Sequence, residues 1–166
     1  FNASGVIVDE VHVQPNRDLI DVLNTSTGAR RQPLTFYITT AGYDQHSICY
    51  ELHDYALKVA KGVIDDPTFL PVVYSADEED DWQDPMVWCK ANPSLGITIK
   101  GDYLERECKR AMETPAYENT FRRLHLNQWT RQQTRWLPLD LWDKCAGKID
   151  AADLAGCHCW GGLDLA

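Results

Sequence analysis

Apolar positions near the start of the chain fall into two short continuous runs separated by a stretch of helical spacing. Ser4-Gly5-Val6-Ile7-Val8 leads into Asp9-Glu10, as expected of a buried strand in a parallel sheet with its acids at the carboxyl end. Asn16 is placed to cap a helix carrying Leu19, Ile20 and Leu23, which Thr25 to Gly28 terminates. Leu34 to Thr40 reads as a second strand, broken by Ala41-Gly42. Strand, helix and strand in this order predict a βαβ unit, whose crossover is right-handed.

Further along, Ile48, Leu52, Tyr55, Ala56 and Val59 recur at helical spacing up to Gly62, predicting a long amphipathic helix after Asp44. Phe69 to Tyr74 reads as another strand. A short helix is expected around Pro85 to Lys90, followed by a turn-rich connector at Asn92-Pro93-Ser94-Leu95-Gly96. Two helices, Asp102 to Met112 and Ala116 to Leu124, flank Thr114-Pro115. Asn127 to Trp136 has little periodicity and reads as a linker. Pro138 and Leu139 open a short helix to Cys145, and Cys157 to Leu165 alternates into a final strand.

With 166 residues, 44% apolar, there is material for one hydrophobic core. No apolar run is long enough for a membrane span, and the first residues lack the layout of a signal peptide. Both ends read as cut from a longer chain. The six cysteines, Cys49, Cys89, Cys108, Cys145, Cys157 and Cys159, are spread through an apolar-rich chain, which favours reduced thiols over a disulfide framework. Cys157-His158-Cys159 is half a zinc site at most, and buried strand thiols are the simpler expectation.

A net charge of −9 disfavours indiscriminate nucleic-acid binding, although charge is segregated. Asp77, Glu78, Glu79, Asp80, Asp81 and Asp84 cluster in what reads as a solvated loop, with docking to a basic partner as the other reading. Residues 106 to 135 hold seven Lys or Arg against three acids. Arg122 and Arg123 are either DNA-facing or an ordinary basic helix surface. The tryptophans read as core and hinge packing in preference to base-stacking platforms.

Chemistry concentrates at the ends of the first two strands. Val6-Ile7-Val8-Asp9-Glu10 delivers adjacent carboxylates to a sheet's carboxyl edge, either as solvated acids at a turn or as the Walker B arrangement of a phosphate-loop NTPase. Thr39-Thr40-Ala41-Gly42, one crossover later, brings hydroxyls and a permissive turn toward the same place.

These segments, Val-Ile-Val-Asp-Glu-Val-His and Thr-Phe-Tyr-Ile-Thr-Thr-Ala-Gly, resemble the Walker B and coupling motifs of phage terminase large subunits. Trp88 to Gly96 and Leu124 to Trp129 are similar to that family's linker region, and Trp160 to Ala166 resembles its first nuclease strand. The resemblance implies an α/β chain containing the C-terminal half of a P-loop (RecA-like, ASCE) ATPase domain at 1–75, a helical linker at 76–155, and the start of an RNase H-like nuclease domain at 156–166. It implies that Asp9 holds Mg²⁺, Glu10 is catalytic, and Thr39, Thr40 and Gly42 couple hydrolysis to movement. Asp164 would bind metal in a two-ion nuclease site. The implied cofactors are ATP and Mg²⁺. The implied partners are double-stranded viral DNA, a small terminase subunit, the portal protein and further copies in a ring, in the host cytoplasm.

The chain contains no Gly-x-x-x-x-Gly-Lys-Ser/Thr loop, so the segment alone is expected to be inactive. A helicase is the alternative enzyme, since Asp9-Glu10-Val11-His12 also fits an Asp-Glu-x-His box. A catalytically silent interaction module is the alternative from another class.

Overall fold

A computed structural model describes residues 2–131, 139–147 and 154–158. The chain divides into two compact units, residues 1–136 and residues 137–166.

In the first unit, strand β1 (Gly5–Asp9) pairs in parallel with strand β2 (Leu34–Ile38), from Gly5 opposite Leu34 to Asp9 opposite Ile38. Helix α1 (Asp18–Thr25) lies between them in sequence, which gives the expected βαβ order. Asn16 accepts the Asp18 amide at 3.1 Å at the start of α1. At its end the hydroxyls of Thr25, Ser26 and Thr27 turn back onto carbonyls of the last turn. Helix α2 (Ile48–Ala60) is capped by Ser47, whose Oγ accepts the Tyr50 amide at 3.3 Å.

Val6 and Val8 of β1 pack with Val11, Ile20, Ile48 and Cys49 into one core cluster. The other face of the strand pair is open: Ile7 is 75% exposed, and Leu34, Phe36 and Ile38 are exposed beside it. The expected strand buried on both faces is therefore not what forms. Side chains alternate across a strand, and α1 and α2 contribute to a core on one side only.

The expected strand at Phe69 to Tyr74 is also absent, because its backbone meets no neighbouring strand. That segment is instead tied to the helical part by Asn127, whose Nδ2 donates to the Tyr74 carbonyl at 2.8 Å, and by the Ala76 amide, which donates to the Leu126 carbonyl at 2.9 Å.

Three helices close the second core of this unit. Helix α3 (Pro85–Ala91) starts on Asp84, which accepts the Met86 amide at 2.9 Å, with Pro85 in the first turn where a missing N–H costs nothing. Helix α4 (Gly101–Glu113) buries Leu104, Cys108 and Ala111, spaced along one face. Helix α5 (Pro115–Leu126) ends at Asn127, left-handed at φ 51°, a conformation asparagine tolerates well at a helix end. Phe121, Leu104 and Leu126 are fully enclosed here, with Trp88 beside them.

The acidic segment is the exposed loop expected, and several of its acids make local contacts. Besides Asp84 capping α3, Asp77 and Asp80 both hold Lys90, the latter at 2.6 Å, and hydrogen bonding to Lys90 lowers the Asp80 pKa.

Arg122 and Arg123 do not form a solvent-facing basic surface. Arg122 pairs with Glu118 at 2.8 Å, and Arg123 is buried. Trp88, Trp82 and Trp129 pack as expected, whereas Trp142 is 62% exposed. Trp136 and Trp160 lie outside the described residues.

In the second unit, helix α6 (Leu139–Lys144) forms where a short helix is expected. Cys157 and His158 are exposed and belong to no strand, so the expectation of a buried strand thiol fails at Cys157. The rest of that strand, with Cys159 and Asp164, lies outside the described residues. Among the described residues, Cys49, Cys89, Cys108, Cys145 and Cys157 form no disulfide.

Candidate active site at the strand tips

Because Asp9 is paired with Ile38, the chain leaves both strands at the same level, and residues 10–13 run beside residues 39–42. Glu10 turns immediately, with φ 53° and ψ 50°, a left-handed conformation that is uncommon for a residue bearing a Cβ. Its amide is satisfied by Asp9, whose Oδ1 accepts it at 2.9 Å. The turn leads into a single 3-10 turn at Val11–Val13, whose Val11 is buried in the sheet-side core. Strand pairing and a buried valine thus force the sharp bend at Glu10.

One imidazole connects the two tips. The His12 amide donates to Thr39 Oγ1 at 3.1 Å, and His12 Nδ1 lies 3.1 Å from the same hydroxyl. Nδ1 is also 3.2 Å from Glu10 Oε2 and 3.5 Å from Thr40 Oγ1. Glu10, Thr39 and Thr40 are therefore gathered around a histidine only 12% exposed. Thr39 Oγ1 lies 3.7 Å from the buried Cys49 Sγ, whose thiol pKa is pushed up by burial and drawn partly back by that hydroxyl. Asp9 is exposed at the sheet edge and turned toward the Glu10 amide.

Gly42 closes the second tip beneath Trp129. A Cβ on Gly42 would stand 2.9 Å from the Trp129 ring, closer than side-chain carbons approach one another. The ring meets Tyr50 edge-on at 4.9 Å between centroids and lies 5.6 Å from His53. Burial holds the His53 pKa below its ordinary value. The Thr130 amide donates to the Gly42 carbonyl at 3.4 Å. Residues just past α5 are thus fastened to the second tip.

His12 and Trp129 are visible in the sequence, but no periodicity marks either as part of the tips. Only the hydroxyl contacts and the bare Gly42 α-carbon do so. Among the described residues no group of three or more His, Cys, Asp or Glu is arranged to hold a metal ion.

A parallel strand pair with acids at one tip and hydroxyls at the next defines an α/β protein with a candidate site at the carboxyl edge of its sheet. The chain belongs to the terminase large subunit family: the model of the family's endonuclease domain matches residues 63–166, and the model of its ATPase domain matches residues 1–58. It is 34% identical over 161 residues to Protein YmfN of Escherichia coli (strain K12), covering 96% of this chain and 35% of that one. To the large terminase subunit of Enterobacteria phage HK97 it is 30% identical over 131 residues, covering 79% of this chain and 25% of that one. The crystal structure of the HK97 bacteriophage large terminase superposes with a TM-score of 0.68 at 27% identity, over 87% of this chain and 30% of that one. The chain thus spans about a third or less of the length of these relatives. None of these matches supports the helicase alternative.

Proposed function

We propose that the chain is a segment of a motor subunit that hydrolyses ATP to drive double-stranded viral DNA into a procapsid and cuts the concatemer, with the hydrolytic step at the strand tips. The supporting observation is the convergence of Glu10, Thr39 and Thr40 on His12.

In this reading Glu10 orients the attacking water and draws its proton, and Asp9 supplies a carboxylate oxygen to Mg²⁺. The donor set fits that ion, because Mg²⁺ is usually held by one or two carboxylates together with substrate phosphates and water. When bound, the ion neutralises charge developing on the phosphates. Thr39, Thr40 and Gly42 sense the terminal phosphate, and Trp129 against Gly42 passes the resulting shift to the residues after α5. His12 keeps Glu10 in register with Thr39, so the acid and the sensor move together.

The remaining assignments rest on the family likeness. By its sequence the chain divides into the C-terminal part of the ATPase domain at 1–75, a linker at 76–155 and the beginning of the nuclease domain at 156–166, whereas the family models end the ATPase match at residue 58 and begin the nuclease match at residue 63. Asp164, outside the described residues, is a ligand of a two-ion nuclease centre. The partners are the small terminase subunit, the portal protein and further copies in a ring, in the bacterial host's cytoplasm. Since no Gly-x-x-x-x-Gly-Lys-Ser/Thr loop occurs in these 166 residues, the segment alone does not turn over ATP.

The test is Glu10→Gln in the full-length protein. Steady-state ATPase activity is expected to fall by roughly 10²- to 10⁴-fold with ATP binding retained. Undiminished turnover would remove Glu10 from the reaction.

A further inference from the structure

A cleft of about 700 Å³ opens beside His12, bordered also by Asn16, Arg17, Gly42, Tyr43, Ser47 and Arg123 among others. Asp9 and Glu10 do not border it. Arg123, projecting from α5, is 9% exposed, and its Nε is buried without a hydrogen-bond partner. None of the ion pairs among the described residues involves Arg123, and the guanidinium lies 5.4 Å from the centre of the Tyr43 ring. A buried N–H without an acceptor is costly, and an incoming ligand oxygen would satisfy it.

A second feature borders the same cleft. Ser47, Ile48 and Glu51, at the N-terminus of α2, all line it. The amides of Ile48 and Cys49 have no backbone acceptor, as first-turn amides do not, and the helix dipole there favours negative charge. Two acids also border the cleft, and both are engaged. Glu51 pairs with Arg17 at 3.3 Å, and Asp44 Oδ1 accepts the His46 amide at 2.8 Å. A guanidinium with an unsatisfied Nε and a helix N-terminus thus border one cavity.

We propose that this cleft, which shares His12 and Gly42 with the strand tips but includes neither Asp9 nor Glu10, is a phosphate-oxyanion site in which Arg123 and the first turn of α2 share the oxygens of one phosphate group. The oxygens of a phosphate point in several directions and can meet the guanidinium and the Ile48 amide from different sides, which the two coplanar oxygens of a carboxylate do less well. The phosphate comes from a nucleotide or from the backbone of duplex DNA. The site does not depend on the catalytic role of Glu10, so Glu10→Gln protein that has lost turnover still binds at Arg123.

The test uses the full-length protein with ¹⁵N-labelled arginine, titrated separately with inorganic phosphate, Mg²⁺-ATP and a short DNA duplex. The Arg123 Nε resonance is expected to shift saturably with inorganic phosphate and with whichever of the other two is the source. Arg123→Leu should weaken phosphate binding about tenfold to a hundredfold, and Arg123→Lys by less. Thermal unfolding separates this from misfolding: without phosphate the Leu variant should be at least as stable as the parent, and phosphate should raise only the parent's midpoint. A resonance unmoved by all three ligands would overturn the proposal. So would one already hydrogen-bonded before any is added, or equal phosphate affinity in parent and Leu variant.

Discussion

The two cores of residues 1–136 solve the same problem differently. The helical one, built by α3, α4 and α5, is closed on itself: Leu104, Phe121 and Leu126 are wholly enclosed, and Asp84, Pro85 and Asn127 settle its helix ends. The sheet-side one is closed on one face only, and Ile7, Leu34, Phe36 and Ile38 remain exposed on the other. The chemistry gathers on the less enclosed part. Strand tips can present carboxylates and hydroxyls together only where the chain leaves the sheet, whereas a helical core has no such shared edge. The helical part contributes by reaching over, with Arg123 from α5 and Trp129 just beyond it touching the loop after β2.

The largest effect that separates the two cores is expected from Phe121→Ala. The ring is fully buried, with its centre 5.7 Å from that of Trp82 and 5.2 Å from that of His125, so its removal leaves a cavity costing about 3–5 kcal/mol. Chemical denaturation measures this, and a loss below about 1 kcal/mol would mean that the helical core is not tightly packed.

Gly42→Ala probes the seam between the two regions. Its new methyl group must displace the Trp129 ring, costing about 1–3 kcal/mol and shifting the tryptophan emission to longer wavelength as the ring is exposed. An unchanged emission spectrum would place Trp129 elsewhere.

A smaller effect, present in both regions, should come with acid. Burial lowers the pKa of His53 beside Trp129 and of His125 beside Phe121. A histidine held below its ordinary 6.5 binds its proton more readily when the chain is unfolded. Its stabilising contribution is therefore complete above that value and is lost as pH falls through the depressed folded one. Thermal midpoints should decline as pH drops from about 7 toward about 5. His53→Gln and His125→Gln should each flatten the decline, and comparing the two shows which core yields first. A decline unaltered in both variants would assign it to other groups.

The smallest effect is expected on the open sheet face, where Ile7→Thr should change stability by no more than about 0.5 kcal/mol. A loss of several kcal/mol would show that something covers this face in solution.

Much of this was legible in the residues. The order strand, helix, strand came from two apolar runs and a helical spacing, and α2 to α5 followed from periodicity and from breaks such as Gly62 and Thr114-Pro115, whereas the Asp84 cap of α3 did not stand out from its acidic run. The candidate tips were legible because acids and hydroxyls directly follow β-type runs. Phe69 to Tyr74 misled because β-rich composition describes a surface that suits pairing without saying whether a partner strand is present. Ile7 misled because a continuous apolar run reads the same whether one face is covered or two.

Local sequence by itself determined where the helices and the β1–β2 pair lie and which acids and hydroxyls end the strands, since these depend on spacing and on neighbours a few residues away. Only the tertiary structure decided that His12 joins Glu10 to Thr39, that Trp129 rests on Gly42, and that Arg123 Nε is buried beside a cleft without a hydrogen-bond acceptor. Those contacts join residues far apart in the chain, and short-range propensity carries no record of which distant side chain will arrive.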